Sequence, residues 1–205
     1  MKLLSLFKKS KSTPNDIIVV SGLPRSGTSM MMQILQSGGL QVMTDQIRAA
    51  DTDNPKGYYE FERVKKLKDG DNQWVKEAPG KVVKVISALL ESLPTEYQYK
   101  IIFMQRDMQE ILASQKQMLI RRGEATDKTS DEVMSEYFRR HLASVQEWLA
   151  RQPNMKVLYI QYDALLKDAR PHIESIVKFL GFPLDVDTMS AVPDQTLYRQ
   201  KHMKK

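Results

Sequence analysis

The chain has 205 residues, 41% of them hydrophobic, with no cysteine, three histidines and a formal net charge of +6. That size and apolar share suit one domain with a full core. The missing cysteines exclude disulfides, thiolate metal sites and a cysteine nucleophile, and three scattered histidines argue against a histidine-built metal site. The basic balance suits an anionic ligand, although Lys8, Lys9, Lys11, Lys201, Lys204 and Lys205 place much of the excess at the ends, as solubilising charge.

Residues 1–15 read as a flexible basic segment ahead of a single domain over 16–205. The opening Met1-Lys2-Leu3-Leu4-Ser5-Leu6-Phe7 has the tone of a secretory leader, but Lys8-Lys9 follow at once and no small-residue cleavage site appears. No run is long and apolar enough to span a bilayer, so the default compartment is the cytoplasm.

The first strand is expected from about Asp16 to Ser21, and the first helix from Thr28 towards Gln36, ended by Gly38-Gly39. Val42-Met43 suits a very short strand. Asp45 to Gly57 is polar and broken by Asn54-Pro55-Lys56-Gly57, so it reads as loop or broken helix. A helix is expected over Tyr58 to Leu67, then a break at Asp69-Gly70-Asp71-Asn72. Lys81 to Ile86 reads as the next strand, and Leu89, Leu90 and Leu93 lie on a short helix closed by Pro94. Tyr99 to Met104 is a clear strand, followed by a helix over Met108 to Leu119. Thr129 and Glu132 suggest a capping box for a helix whose apolar face runs Met134, Tyr137, His141, Val145, Trp148. A strand over Lys156 to Ile160 and a helix from about Arg170 to Leu180, capped by Gly181, complete the pattern, and the tail from Pro183 has little periodicity. Short apolar strands alternating with helices predict a three-layer α/β fold with a mostly parallel central sheet.

The run Ser21-Gly22-Leu23-Pro24-Arg25-Ser26-Gly27-Thr28-Ser29 follows the buried Ile18-Val19-Val20. A strand, a glycine-containing turn and a helix form the geometry that cradles phosphate. Gly22 and Gly27 let backbone amides approach an anion, Pro24 stiffens the turn, Arg25 supplies charge, Thr28 and Ser29 bring hydroxyls from the first helical turn, and Ser26 completes the candidate cofactor-binding set. The Gly22-x4-Gly27 spacing matches a nucleotide-triphosphate loop, but Thr28 stands where that loop has lysine. The plainer alternative is a tight strand-to-helix turn with a surface arginine.

This run resembles the 5'-phosphosulfate loop of the sulfotransferases that use 3'-phosphoadenosine 5'-phosphosulfate (PAPS), enzymes of the P-loop superfamily. In them the position of Arg25 is commonly lysine. Phe103-Met104-Gln105-Arg106-Asp107, leading into Met108-Gln109-Glu110-Ile111-Leu112-Ala113-Ser114, is similar to the family's second cofactor segment. The resemblance implies that Arg106 and Ser114 bind the 3'-phosphate, although Met108 stands where a proline is common. Tyr162-Asp163-Ala164-Leu165 after the late strand, the helix ending Phe179-Leu180-Gly181 and the tail run Leu197-Tyr198-Arg199 are also similar to the family, whose likeness covers about 16–182. The family's glycine-rich basic segment over the adenosine has no clear counterpart.

The resemblance implies sulfuryl transfer from PAPS to a hydroxyl or amine acceptor, leaving 3'-phosphoadenosine 5'-phosphate (PAP), with no metal. Many relatives place a catalytic histidine after a strand containing a lysine. Here Lys84-Val85-Ile86-Ser87 keeps the lysine and lacks the histidine. His141 reads as a packed residue of its helix. The candidate base is Glu60, in Tyr58-Tyr59-Glu60-Phe61-Glu62, which resembles the acidic segment of glutamate-using relatives; the flanking aromatics offer partial desolvation. Glu60, Arg25 and Lys84 form the candidate catalytic set. The expected acceptor is a small molecule, glycan or lipid. Nucleic acid is not expected, and self-association is left open. An ATP-dependent small-molecule kinase and a noncatalytic nucleotide-binding protein are the alternatives.

Overall fold

The computed structural model describes residues 15–45, 47, 57–126 and 129–194. Residues 1–14 of the expected basic segment, most of the Asp45–Gly57 loop, and Leu197-Tyr198-Arg199 lie outside them.

Five strands form one sheet: β1 Ile17–Gly22, β2 Val42–Met43, β3 Val82–Lys84, β4 Tyr99–Gln105 and β5 Met155–Gln161, in the order β2-β3-β1-β4-β5. Each of the four pairings is parallel. Alternation along the strands builds two cores. Ile17 and Val19 of β1, with Ile101 and Phe103 of β4, face one side; Ile18 and Val20, with Ile102 and Met104, face the other. A strand buried on both faces needs no polar positions, which is why Ile17–Val20 is an unbroken apolar run.

One face is covered by α4 (Asp131–Ala150), through Val145 and Leu149, and by Trp74, Leu89 and Leu90 of short 3-10 turns. The other face carries α1 (Thr28–Ser37), α5 (Tyr162–Lys167), α6 (Ala169–Leu180) and α7 (Val186–Ser190). Of two further helices, α2 (Glu62–Lys65) adds Val64 to the first core, and α3 (Met108–Arg121) contributes to neither core. The result is the expected three-layer α/β architecture. No helix of the described residues is long and apolar enough to cross a membrane.

The chain leaves β1 towards β2 and β3 on one side, and leaves β4 towards β5 on the other. Connections that diverge from neighbouring parallel strands open a crevice at their carboxyl ends, so the fold points to the ends of β1 and β4.

Several local expectations shift. The helix expected over Tyr58–Leu67 is reduced to α2, because the Glu60 carbonyl accepts from Thr44 Oγ1 at 2.9 Å and from the Asp45 amide at 3.3 Å, holding the preceding residues out of a helix. The aperiodic tail contains α7, capped by Asp185, whose Oδ1 accepts from the Thr188 amide at 2.9 Å. On α4 the apolar stripe is only half used: Val145 and Leu149 are buried, whereas Tyr137 is 65% exposed. The cap of α4 is Ser130, not Thr129, with its Oγ accepting from the Val133 amide at 3.4 Å.

Ser130→Ala should therefore lower stability by about 1 kcal/mol, the usual worth of an N-cap, and Thr129→Ala by only a few tenths. Urea unfolding of the two variants checks this; equal effects would mean that Ser130 does not cap the helix.

Candidate active site

The turn between β1 and α1 is shaped by glycines. Gly22 and Gly27 have φ values of 144° and 99°. A Cβ at Gly22 would meet the Met104 carbonyl at 2.7 Å, and one at Gly27 would meet the Tyr162 ring at 2.4 Å. Both positions thus require glycine for conformation and for space. Arg25, at φ 71°, sits in the left-handed region without that freedom.

Gly27 is the N-cap of α1, makes no side-chain cap bond, and is followed by no acidic residue in the first turn. By contrast, α3 is capped by Asp107, whose Oδ1 accepts from the Gln109 and Glu110 amides at 2.9 and 3.3 Å. The start of α1 thus keeps its positive end unneutralised by a side chain. Ser26 is 1% exposed, and its Oγ has no hydrogen-bond partner among the described residues. A buried hydroxyl without a partner beside an uncapped helix start fits an anion that would complete its bonding.

The second patch meets the first directly. Strand β4 pairs with β1 as far as Gly22↔Met104, which brings Arg106 beside the loop. Arg106 Nη1 donates to the Arg25 carbonyl at 3.0 Å, and Arg106 Nε donates to Glu110 Oε2 at 3.0 Å. The two side chains of that ion pair are 8% and 4% exposed. The guanidinium carbon lies 4.4 Å from the centre of the Tyr162 ring. Burial pushes the Tyr162 phenol above its ordinary value, so the ring meets Arg106 as a neutral aromatic. Arg25 Nε donates to Ser114 Oγ at 2.9 Å. Gly22, Pro24, Arg25, Ser26, Gly27, Thr28, Ser29, Arg106 and Ser114 are thus gathered at the crevice between β1 and β4. Beside them opens a cleft of about 610 Å³, lined by Leu23, Ser26, Arg106, Asp107, Leu142 and Asp163 among others.

The sulfotransferase domain model matches residues 14–205. The chain belongs to the PAPS-dependent sulfotransferase family. Sequence comparison with curated proteins finds no match. Among solved structures, mouse sulfotransferase SULT7A1 complexed with PAP is similar at a TM-score of 0.55 and 19% identity, over 89% of this chain and 64% of that one. The sulfotransferase domain from the curacin biosynthetic pathway aligns at 0.53 and 12%, over 95% and 94%. STF1 from Mycobacterium tuberculosis H37Rv aligns at 0.52 and 15%, over 90% and 73%. These likenesses show the shared fold, and the chain spans 64% of the length of the mouse enzyme.

On the far side of the sulfotransferase loop, Lys84 Nζ lies 3.4 Å from Ser29 Oγ and donates to the Tyr58 carbonyl. Ser29 Oγ donates to the same carbonyl at 3.2 Å. The candidate base region is therefore tied to the loop. Glu60 itself forms an ion pair with Lys65 at 3.1 Å and is 19% exposed at its side chain. The neighbouring aromatics are engaged elsewhere: Phe61 packs edge-on against Trp74 at 5.4 Å, and the Tyr59 hydroxyl donates to Gln36 Oε1 at 2.9 Å. Glu60 thus has an ammonium beside it in place of the expected apolar wall.

Three contacts were not foreseen. Glu110 lies four residues after Arg106, a helical spacing that signals such a pair, yet Arg106 precedes the helix. Tyr162, named from the sequence only as part of a family-like run, lies under the Arg106 guanidinium. His141 Nε2 is hydrogen-bonded to Ser87 Oγ at 2.9 Å, immediately beyond the β3 end that lacks the family's histidine.

Burial holds the His141 imidazole below its ordinary value, with Lys68 acting in the same direction and Glu91 opposing. A group depressed in the folded state contributes stability above its unfolded pKa and loses it as pH falls through the folded one. Stability should therefore decline on acidification below the ordinary value of 6.5. His141→Gln should flatten that part of the profile in urea unfolding across pH 4.5–8, a range set by the ordinary histidine pKa of roughly 6.5. An unchanged slope would show that His141 does not titrate differently in the two states.

Proposed function

We propose that this protein transfers a sulfuryl group from PAPS to a hydroxyl or amine acceptor, a small molecule, glycan or lipid, in the cytoplasm. The observation that carries the reading is the direct joining of two anion patches, by the Arg106–Arg25 carbonyl and Arg25–Ser114 hydrogen bonds, in a loop without the nucleotide-triphosphate lysine. PAPS, when bound, supplies an activated sulfuryl group on a phosphate leaving group.

The residues present fit such a group. The loop amides, Ser26 and the start of α1 hold the 5' side, together with Thr28, Ser29 and Arg25. Charge that develops on the leaving oxygen is stabilised by donors already in place, which avoids reorganisation during the reaction. Arg106 and Ser114 hold the 3'-phosphate, where a planar guanidinium forks onto phosphate oxygens. Lys84, beside Ser29, is the cation directed to the transferred group. Glu60 takes the acceptor proton; Lys65 would keep its carboxylate in reach as an acceptor of that proton. The acceptor would lie against the segment from Asn54 to Glu62, of which residues 54–56 lie outside the described residues.

Calorimetry should find PAP and PAPS bound without magnesium, and ATP and ADP bound far more weakly. A preference for ATP with magnesium would overturn the reading in favour of a kinase. Arg106→Ala should weaken PAP by roughly tenfold or more, the worth of a charged hydrogen bond, and adenosine 5'-phosphate much less. Equal losses for both ligands would remove Arg106 from the 3'-phosphate.

Once an acceptor has been found by screening alcohols, phenols, sugars and amines with PAPS, Glu60→Gln should keep folding and PAP binding and lower turnover roughly 100-fold or more. The acidic limb of the pH–rate profile should vanish with it. Near-normal turnover with an unchanged profile would assign the base elsewhere.

A further inference from the structure

Among the described residues, two other than glycine take a positive φ: Arg25 at 71° and Tyr59 at 52°. Arg25 lies in the loop after β1. Tyr59 lies in no helix or strand, and the left-handed region is disfavoured for a residue with a Cβ. Gly57, two residues earlier, has a φ of 90° and space for a side chain, so this segment carries glycine where conformation alone is asked. Position 59 keeps a tyrosine, and its side chain is engaged. The ring packs on the core that includes Met31 and Leu35 of α1, and the hydroxyl donates to Gln36 Oε1 of α1 at 2.9 Å.

The carbonyls on either side of Tyr59 are held by different parts of the fold. The Tyr58 carbonyl accepts from Ser29 Oγ at 3.2 Å and from Lys84 Nζ, which itself lies 3.4 Å from Ser29 Oγ. The Glu60 carbonyl accepts from Thr44 Oγ1 and from the Asp45 amide, just beyond β2. The chain turns between these two attachments at Tyr59, and the anchor on α1 holds that turn against the backbone's own preference. A neutral carbonyl orients an ammonium without cancelling its charge. An ammonium also has three donors, so holding it by one N–H does not keep it from an anion.

We propose that Tyr59 is a positioning residue for Lys84: its left-handed turn, held on α1 by the ring and hydroxyl, aims the Tyr58 carbonyl at the ammonium and fixes where that cation stands. On the sulfotransferase reading, on which this rests, Lys84 is directed to the group being transferred. PAPS carries that group and PAP does not, so a displaced Lys84 weakens PAPS more than PAP.

The test is calorimetric titration with PAP and with PAPS, without an acceptor, of the wild type, Tyr59→Ala, Tyr59→Gly, Lys84→Met and the Tyr59→Ala/Lys84→Met double variant. Tyr59→Ala keeps the Cβ and loses the anchor. PAPS should weaken about tenfold, the worth of a charged hydrogen bond, and PAP no more than about twofold. Tyr59→Gly loses the same anchor but enters the left-handed region freely, so it should bind PAPS distinctly better than the alanine variant. Once Lys84 is methionine, adding Tyr59→Ala should weaken PAPS no further. A glycine variant as weak as the alanine variant would overturn the proposal, since packing and not the turn would then matter. Equal losses for the two ligands, an unchanged PAPS affinity in Tyr59→Ala, or additive losses in the double variant would each overturn it as well. If Tyr59→Ala does not fold, Tyr59→Phe, which loses only the bond to Gln36, takes its place. PAPS should then weaken about threefold with PAP unchanged, and equal losses again overturn the proposal. A wild type that binds neither PAP nor PAPS overturns the sulfotransferase reading itself; one that binds both leaves that reading standing whichever way the Tyr59 variants fall.

Discussion

The buried ion pair between Arg106 and Glu110 is the interaction on which the rest of the site depends. With side chains 8% and 4% exposed, neither charge is solvated by bulk water. Such a pair is weak as a source of stability, because desolvation opposes the attraction, but removing either partner leaves an uncompensated charge. Its value here is geometric. Glu110 fixes the guanidinium at Nε, Tyr162 fixes its plane, and the Arg25 carbonyl fixes one of its distal nitrogens. Held on three sides, Arg106 faces the loop in one orientation, and the loop is held in turn by the bond from its own carbonyl. Tyr162 links the same two parts from below, since its ring occupies the space that any side chain at position 27 would need.

Parallel pairing makes this arrangement accessible to a chain of this size. The register Gly22↔Met104 brings two strands separated by about eighty residues to the same height at their carboxyl ends. The loop after β1 and the arginine after β4 then need no long side chains or extra loops to meet. The apolar alternation that buries β1 and β4 on both faces is thus also what aligns the two anion patches.

Much of this was legible in the sequence, for physical reasons that differ along the chain. Ile17 to Val20 and Ile101 to Met104 form unbroken apolar runs, and only a strand buried on both faces calls for them in an α/β pattern. Gly22, Gly27 and Arg25 announce the loop because close approach to backbone demands glycine. The segment from Tyr58 to Phe61 was misread because hydrogen bonds from Thr44 and Asp45, distant in sequence, override its local preference. Helix α7 escaped because five residues are too few to show a period. The pairing of Glu110 with Arg106 and of Ser87 with His141 depends on tertiary placement, which a local pattern does not carry. Motif residues were therefore readable as a set, while the bonds between them were not.

The two sides of the site are built from different materials. Arg25, Arg106 and Ser114 rise from the loop after β1, the end of β4 and helix α3, and the bonds of Arg25 and Arg106 are 2.9 to 3.0 Å long and at least partly buried. Around Glu60, the backbone is irregular, Tyr59 has a φ of 52°, and the carboxylate pairs with Lys65, a side chain 57% exposed. A donor shared across a family asks for one fixed geometry, and rigid elements hold it. An acceptor that differs between relatives asks for a surface that can be rebuilt without disturbing the sheet, and loops allow that. The connection between the sides is narrow: Lys84 and Ser29 both donate to the carbonyl of Tyr58. On the proposed function, that one carbonyl would tie the acceptor segment to the loop that would hold the donor, so a change in the acceptor segment could alter specificity while leaving the buried arginines where they are.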